Sequence, residues 1–319
     1  MDSQPSLAPA IIMAQEGTAQ EAARARRRAI LCVLGSSASF TVAAALVKFT
    51  APSIPVWEIV LFRSLGASVC LLPLLRGQGG WAALRTRRPW GHAGRLVAGL
   101  TGMYGSFYGY GALPLATVTA LGFSMPIFLA LLSFPLLGER VRPARALTVG
   151  AGLLGVMVVL RPWQGGTELP LGPAAVVMAG VLFWALAMIS IRRMGQAGER
   201  NVTIVLLFSL GCSAIAAVAC IPVWVTPDGP VLLALLGVGA VSALAQVLMT
   251  EGYRSGEATM LAPFEYGAIL YTVLLGWLIW AEVPGVWEFA GIAVLVASGL
   301  FAWHLESRTS PAPSGRGPG

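Results

Sequence analysis

Between residues 29 and 304 the chain divides into ten apolar stretches, each of roughly the 20 residues that a membrane-crossing helix needs. Their limits fall near 29–48, 56–75, 94–113, 117–137, 144–161, 172–192, 202–224, 231–253, 258–281 and 286–304. Turn chemistry marks the breaks: APSIP, RTRRPWG, ALPLA, GERVRP, RPWQGGTELPLGP, TPDGP, SGE and EVPG. In hydrocarbon every backbone N–H and C=O must be satisfied internally, so segments of this kind can cross only as helices. Only 11% of residues are charged, against about 25% in a soluble domain. That leaves too little polar material to cover a globule. The expectation is an all-α membrane protein with ten transmembrane helices.

Residues 1–28 form a polar N-terminal tail with no apolar core and cleavage site of a signal peptide. The last segment, 305–319, is rich in Pro, Gly and Ser and reads as a disordered tail. If the N-terminus is cytoplasmic, 18 of the 21 basic residues fall on that side, including the clusters Arg24–Arg28, Arg76–Arg95 and Arg140–Arg145. Lys48 and Arg161 fall outside, and Arg63 lies within a span. This is the bias of the positive-inside rule, and it places both termini in the cytoplasm. The same short clusters account for the net charge of +7 without invoking nucleic acid. Cys32, Cys70, Cys212 and Cys220 lie singly in apolar runs with no CxxC pair, so they read as packing residues and not as metal ligands or disulfides.

A repeat is hidden in the apolar runs. EIVLFRSLGAS (58–68) aligns without gaps on TIVLLFSLGCS (203–213), 145 residues on, with seven of eleven positions identical. At a step of 143, Leu131–Leu132 meet Leu274–Leu275 and Glu139 meets Glu282. Two five-helix halves follow, 29–161 and 172–304. Five is odd, so the second half enters the membrane from the opposite side. Inverted repeats of this kind are typical of secondary transporters, with the substrate site at the repeat interface near the midplane.

Three stretches carry a family resemblance: WEIVLFRSLGAS, YGALPLATVTALGFSMPIFLALLSFPLLGERV and EATMLAPFEYGAILYTVLLGWLIWAEVPGVWEFAGIAVLVASGL. With them the chain resembles the EamA-type branch of the drug/metabolite transporter superfamily, over essentially all of 29–304. The resemblance implies a carrier of small metabolites such as amino acids, nucleotide sugars, S-adenosylmethionine or riboflavin, working inward or outward. Arg63, Pro126, Glu139, Pro263 and Glu282 match the family pattern.

Positions shared by the halves, such as Ser64-Leu65-Gly66 and Ser209-Leu210-Gly211, are expected to pack helices, and positions that differ in polarity are the better site candidates. Arg63 aligns with Phe208, and Glu265 with Gly122. An ionised group at mid-bilayer costs at least about 2.5–3.5 kcal/mol, so both are expected to face the interior or a wet cavity. Arg63 shares a helical stripe with Gly66, Ala67 and Cys70; Glu265 shares one with Ala258, Ala262, Thr272 and Gly276. Arg63 can clamp an anionic group of the cargo or form an ion pair with a glutamate such as Glu265. Glu265, with Tyr266 beside it, can bind a substrate amine or carry a coupling proton. Tyr104 and Tyr108, Trp184 in mid-span, and Glu251 near the inner end of its span are further candidates for the substrate and proton pathway. Glu58 reads as a solvated helix-end residue, Glu139 and Glu282 as capping or gating groups, and the GxxxG of Gly105 and Gly109 as close packing.

GAGLLG (150–155) follows no strand, so it is no dinucleotide motif. No HExxH, GxSxG or carboxylate pair assembles a nucleophile with a base, and no filter-like loop suggests a channel. The expectation is a carrier, not an enzyme, with no cofactor. Its partners are a small-molecule metabolite, the lipid bilayer and a possible coupling proton, with oligomeric state left open.

Overall fold

The computed structural model describes residues 8–78, 80, 84–86, 88–125, 128, 131–132, 143–160, 170–255 and 267–309. These residues form ten α-helices and no β-strand: α1 (Ala8–Thr50), α2 (Val56–Leu71), α3 (Pro89–Ala112), α4 (Leu115–Gly122), α5 (Pro143–Leu160), α6 (Leu171–Gln196), α7 (Asn201–Cys220), α8 (Gly229–Ser255), α9 (Gly267–Trp280) and α10 (Val286–Thr309). Among the described residues, four helical stretches are long and apolar enough to cross a membrane: Arg27–Thr50, Leu171–Ile191, Val202–Cys220 and Gly229–Met249. Shorter apolar stretches lie at Gly150–Val159, Gly267–Trp280 and Val286–Ser298.

Several bounds differ from the apolar runs. α1 begins at Ala8, well before residue 29, and α10 runs on to Thr309. α2 stops at Leu71, and the chain tightens into a 3-10 turn over Leu72–Gln78. Pro73 explains the change, because it has no N–H to offer and crowds the carbonyl one turn back. α4 ends at Gly122, within the expected run 117–137, and beyond a turn at Phe123 and Ser124 the described Met125, Phe128, Leu131 and Leu132 are again helical. There the N–H of Phe123 is shared between the carbonyls of Thr119 (3.2 Å) and Ala120 (3.1 Å), the bifurcated pattern of a helix end.

Much of the outer surface is apolar, unlike that of a soluble bundle, and small or polar residues share the interior with apolar ones. On α9, Leu270, Trp277 and Leu278 are exposed while Thr272 and Gly276 are buried. Thr272 and Gly276 are the two described members of the stripe that Glu265 shares in the sequence. One apolar core joins Val47 of α1, Ile59 of α2, Leu100 of α3, Phe208 of α7 and Leu235 of α8; a second joins Leu121 of α4, Val156 of α5, Val181 of α6, Ile269 of α9 and Leu295 of α10. Each core draws helices from both sides of residue 161. Cys212 and Cys220 are buried and free, in keeping with packing roles.

The helix contacts recur in pairs. α1 packs on α8 as α6 packs on α3, and α2 packs on α8 as α7 packs on α3; α2 meets α7, α4 meets α9 and α5 meets α10. Individual residues follow the same rule. Gly66 of α2 lies against Gly239 of α8, and Gly211 of α7 lies against Leu96 of α3. Gly35 of α1 lies against Leu248 of α8, and Gly180 of α6 against Gly105 of α3. From Gly35 to Gly180 and from Gly66 to Gly211 the step is 145; from Leu96 to Gly239 and from Gly105 to Leu248 it is 143. These are the two steps of the sequence repeat.

Candidate functional site

A cavity of about 210 Å³ lies among α1, α3, α4, α8 and α9. Its walls carry six hydroxyls: Ser36, Ser37 and Thr41 of α1, Tyr110 of α3, Thr119 of α4 and Thr272 of α9. Most donate back to a backbone carbonyl. Ser36 Oγ bonds the Ala245 carbonyl of α8 at 2.9 Å, Thr41 that of Ser37 at 2.9 Å, Thr119 that of Leu115 at 3.1 Å and Thr272 that of Ile269 at 3.0 Å. A hydroxyl whose proton is used in this way still has acceptor lone pairs, so the walls suit a cargo that donates hydrogen bonds. The volume is below the roughly 300–1,000 Å³ of pockets that enclose drug-sized ligands.

One end of the bundle is tied by charge. Lys48, three residues from the end of α1, pairs with Glu282 after α9 (Nζ to Oε1, 2.8 Å). The same ammonium donates to the Leu113 carbonyl at 2.9 Å and stands 5.5 Å from the Trp280 ring centroid. Glu282 Oε2 accepts the Leu115 N–H at 3.2 Å. That N–H is an unpaired donor of the first turn of α4, where a carboxylate is electrostatically favoured. Close by, Glu288 accepts from the Thr117 hydroxyl (2.9 Å) and the Gly285 N–H (2.8 Å). The turn that delivers Glu282 contains Ala281 at φ 55°, in the left-handed region that costs a non-glycine residue about 1–2 kcal/mol. Among the described residues, His92 and Glu199 approach to 3.7 Å at the opposite end.

The sequence candidates are scattered around this framework. Arg63 is half-buried on α2, outside the cavity lining, and within electrostatic reach of Arg95 and Cys212. In its stripe Ala67 is buried and Gly66 meets Gly239, but Cys70 is exposed. Tyr104 packs on Trp57 of α2, with centroids 4.9 Å apart and planes at 42°. Tyr108 is half-buried on α3. The backbone of Trp184 backs onto Gly102, and a Cβ there would stand 3.1 Å from its nitrogen. Glu251 falls in the last turns of α8. Glu265 and Tyr266, with Pro126, Glu139 and Pro263, lie outside the described residues.

Two expectations are corrected. Glu58 is no solvated end residue: it is fully buried, and the Val225 N–H of the α7–α8 link donates to its Oε2 at 3.2 Å. Its position in the first turn of α2 suggested solvent, but that link folds over it. Arg95, counted among the cytoplasmic cations, is only 7% exposed and lies over the Phe208 ring at 4.0 Å. The cavity hydroxyls and Lys48 escaped notice as a site. The SSASFT run of α1, which sets Ser37 and Thr41 four apart, is the signal that could have found them.

Apolar helices of spanning length around a cavity that carries hydroxyls are the architecture of an integral-membrane transporter. The chain belongs to the EamA-like transporter family, whose model matches residues 27–161 and again 172–303. It is 32% identical to a riboflavin transporter of Rhizobium johnstonii, over 76% of this chain and 79% of that protein. It is 31% identical to a pseudopaline exporter of Pseudomonas aeruginosa, over 84% and 93% respectively. An S-adenosylmethionine uptake transporter of Rickettsia felis is 26% identical over 88% of this chain and 92% of its own. A solved crystal structure shares the fold, with a TM-score of 0.63 at 20% identity, covering 88% of this chain and 98% of the other.

Proposed function

We propose that this protein is a secondary transporter that moves a small polar or zwitterionic metabolite across the bacterial cytoplasmic membrane by alternating access. In this reading ten helices cross the membrane as two inverted five-helix repeats, 29–161 and 172–304, with both termini in the cytoplasm. The observation that carries it is the pairing of interfaces. Gly66–Gly239 with Gly211–Leu96, and Gly105–Gly180 with Leu248–Gly35, are related by the same steps of 145 and 143. Two arrangements related by exchange of the halves are then nearly equal in energy, which is what an alternating-access carrier requires.

Cargo occupies the hydroxyl-lined chamber, and the Lys48–Glu282 cluster is the gate on the extracytoplasmic side. Glu265 serves the same chamber as amine binder or proton carrier; Ala268 and Thr272, three and seven positions after it, line that wall. Arg63 completes the charged set, and Tyr266, Tyr104, Tyr108, Trp184 and Glu251 border the pathway. The direction proposed first is uptake, in line with the S-adenosylmethionine relative; the pseudopaline exporter supports the second reading, export.

The test is purified protein in liposomes, screened against a metabolite library with and without a pH gradient. Saturable uptake with counterflow is expected. Glu265→Gln and Arg63→Ala each abolish it while folded protein stays in the membrane. Wild-type rates in both variants would remove these residues from the site, and product formation in place of solute movement would return the protein to the enzymes.

A further inference from the structure

We infer that Arg95 and Arg63 form an oxyanion subsite at the junction of α2, α3 and α7, built to take a carboxylate or phosphate group of the cargo. The inference rests on the transport reading and adds a substrate class to it. Arg95 lies six residues into α3 from Pro89, about 9 Å from the helix start. An arginine at that depth ordinarily extends its stem toward the near polar end. Arg95 does the opposite. Its Nη1 occupies the space that a Cβ on Gly99, one turn deeper, would fill, and its guanidinium lies on the Phe208 ring. Helical side chains lean toward the N-terminus, so this climb toward the C-terminus has to be supported by its surroundings. Gly99 and Phe208 supply that support.

Held there, Arg95 is 7% exposed, and its Nε and Nη1 have no hydrogen-bond partner. The second cation, Arg63, is within electrostatic reach of the first. Among the described residues no carboxylate pairs with either. Within reach of both lies the buried Cys212 thiol, which is no counter-ion. A buried, unpartnered cation with a second cation in reach is unfavourable unless an anion joins them, and a pair of planar forks matches an oxyanion. Phe208 and Arg63 are aligned across the repeat, so the two halves differ in chemistry at this junction.

The test uses the full-length protein in detergent, titrated with inorganic phosphate and separately with succinate, at ionic strength held constant with chloride. The wild-type melting temperature is expected to rise saturably with at least one of them. The half-saturating concentration should rise at least about tenfold in Arg95→Gln and in Phe208→Leu, the loss of a charge-assisted hydrogen bond. Arg95→Lys, which keeps the charge without the fork, should fall between. If Arg95→Gln does not fold, Phe208→Leu and Arg95→Lys carry the test. An unsaturable wild-type response, or one unchanged in Phe208→Leu and Arg95→Lys, overturns the subsite. So does a response to phosphatidylglycerol in the micelles with none to either soluble anion. Saturable anion binding without solute movement in liposomes would overturn the transport reading and leave the subsite. Uptake indifferent to Arg95→Lys and Phe208→Leu, with no anion response, would do the reverse.

Discussion

Two seams of this molecule share a plan and differ in material. At α3–α6 the backbones touch: a Cβ on Gly105 would stand 2.9 Å from the Gly180 Cα and 3.0 Å from the Val176 carbonyl oxygen. At α1–α8 the equivalent approach is filled by a side chain, and a Cβ on Gly35 would stand 3.4 Å from a Leu248 methyl. The first seam is a backbone weld. The second carries the Ser36–Ala245 hydrogen bond, and its α1 side forms much of the cavity wall. In a bilayer there is no hydrophobic drive between helices, so close contact and hydrogen bonds must hold them. The difference teaches that pairing in architecture need not mean pairing in stiffness. One seam closes backbone on backbone, and the other borders the cavity and is closed by a side chain and a hydrogen bond.

The largest effect should come from breaking the weld. Gly105→Val places a branched side chain against backbone that cannot yield, and overpacking of this kind costs about 1–3 kcal/mol or more. Loss of folded protein, read by size-exclusion profile and melting temperature, is expected. A variant as stable as wild type would show that α3 and α6 are free to separate.

Next is the end of the cavity-side seam, where α1 delivers Lys48 to Glu282. Lys48→Met leaves Glu282 and the Leu113 carbonyl without their cation, and hydrogen bonds to charged groups contribute about 1.5–3 kcal/mol. The expected outcome is easier opening at this end. A cysteine placed at Thr41 in the cavity should be alkylated several-fold faster by a membrane-impermeant reagent added from the Lys48 side. The exchange Lys48→Glu with Glu282→Lys should restore part of the protection. Equal rates in wild type and Lys48→Met would remove the gate.

Much of this was legible before any coordinates. Runs of apolar residues set the helices, because length and hydropathy alone decide what can cross a bilayer. The repeat was legible because EIVLFRSLGAS and TIVLLFSLGCS preserve the small residues on which helices close. The site was legible only in part. Arg63 stood out as a charge in an apolar run, but Arg95, near the start of its helix, looked like one more cytoplasmic cation. Its burial depends on Gly99 and on Phe208 from a distant helix, which no local pattern reveals. The burial of Glu58 is hidden from the sequence for the same reason, since the α7–α8 link that covers it begins more than 150 residues later. The hydroxyl chamber was invisible because serines and threonines that bond their own helix are common in membrane spans, and only packing shows which of them share a cavity.

A smaller effect is expected within the chamber. Thr272→Val preserves shape and removes the hydroxyl from the wall. If cargo hydrogen-bonds there, KM should rise about three- to tenfold with kcat little changed, the value of one hydrogen bond of about 0.5–1.5 kcal/mol. Liposome uptake over a range of substrate concentrations separates the two. An unchanged KM would put cargo elsewhere.

The smallest effect is the sharpest test of the comparison. Gly35→Ala adds a methyl at ordinary contact distance from Leu248, whose flexible end can shift. Its stability should stay within about 0.5 kcal/mol of wild type, as for a substitution that breaks no special feature. Gly105→Ala makes the same chemical change at the paired position, yet its methyl meets Cα and carbonyl groups instead of a side-chain tip. It should lower the melting temperature by several degrees in the same detergent. Equal shifts in the two alanine variants would mean that the seams are alike in stiffness and that the adaptable side of the bundle lies elsewhere. A large loss in Gly35→Ala alone would invert the assignment and make the cavity-side seam the fixed one.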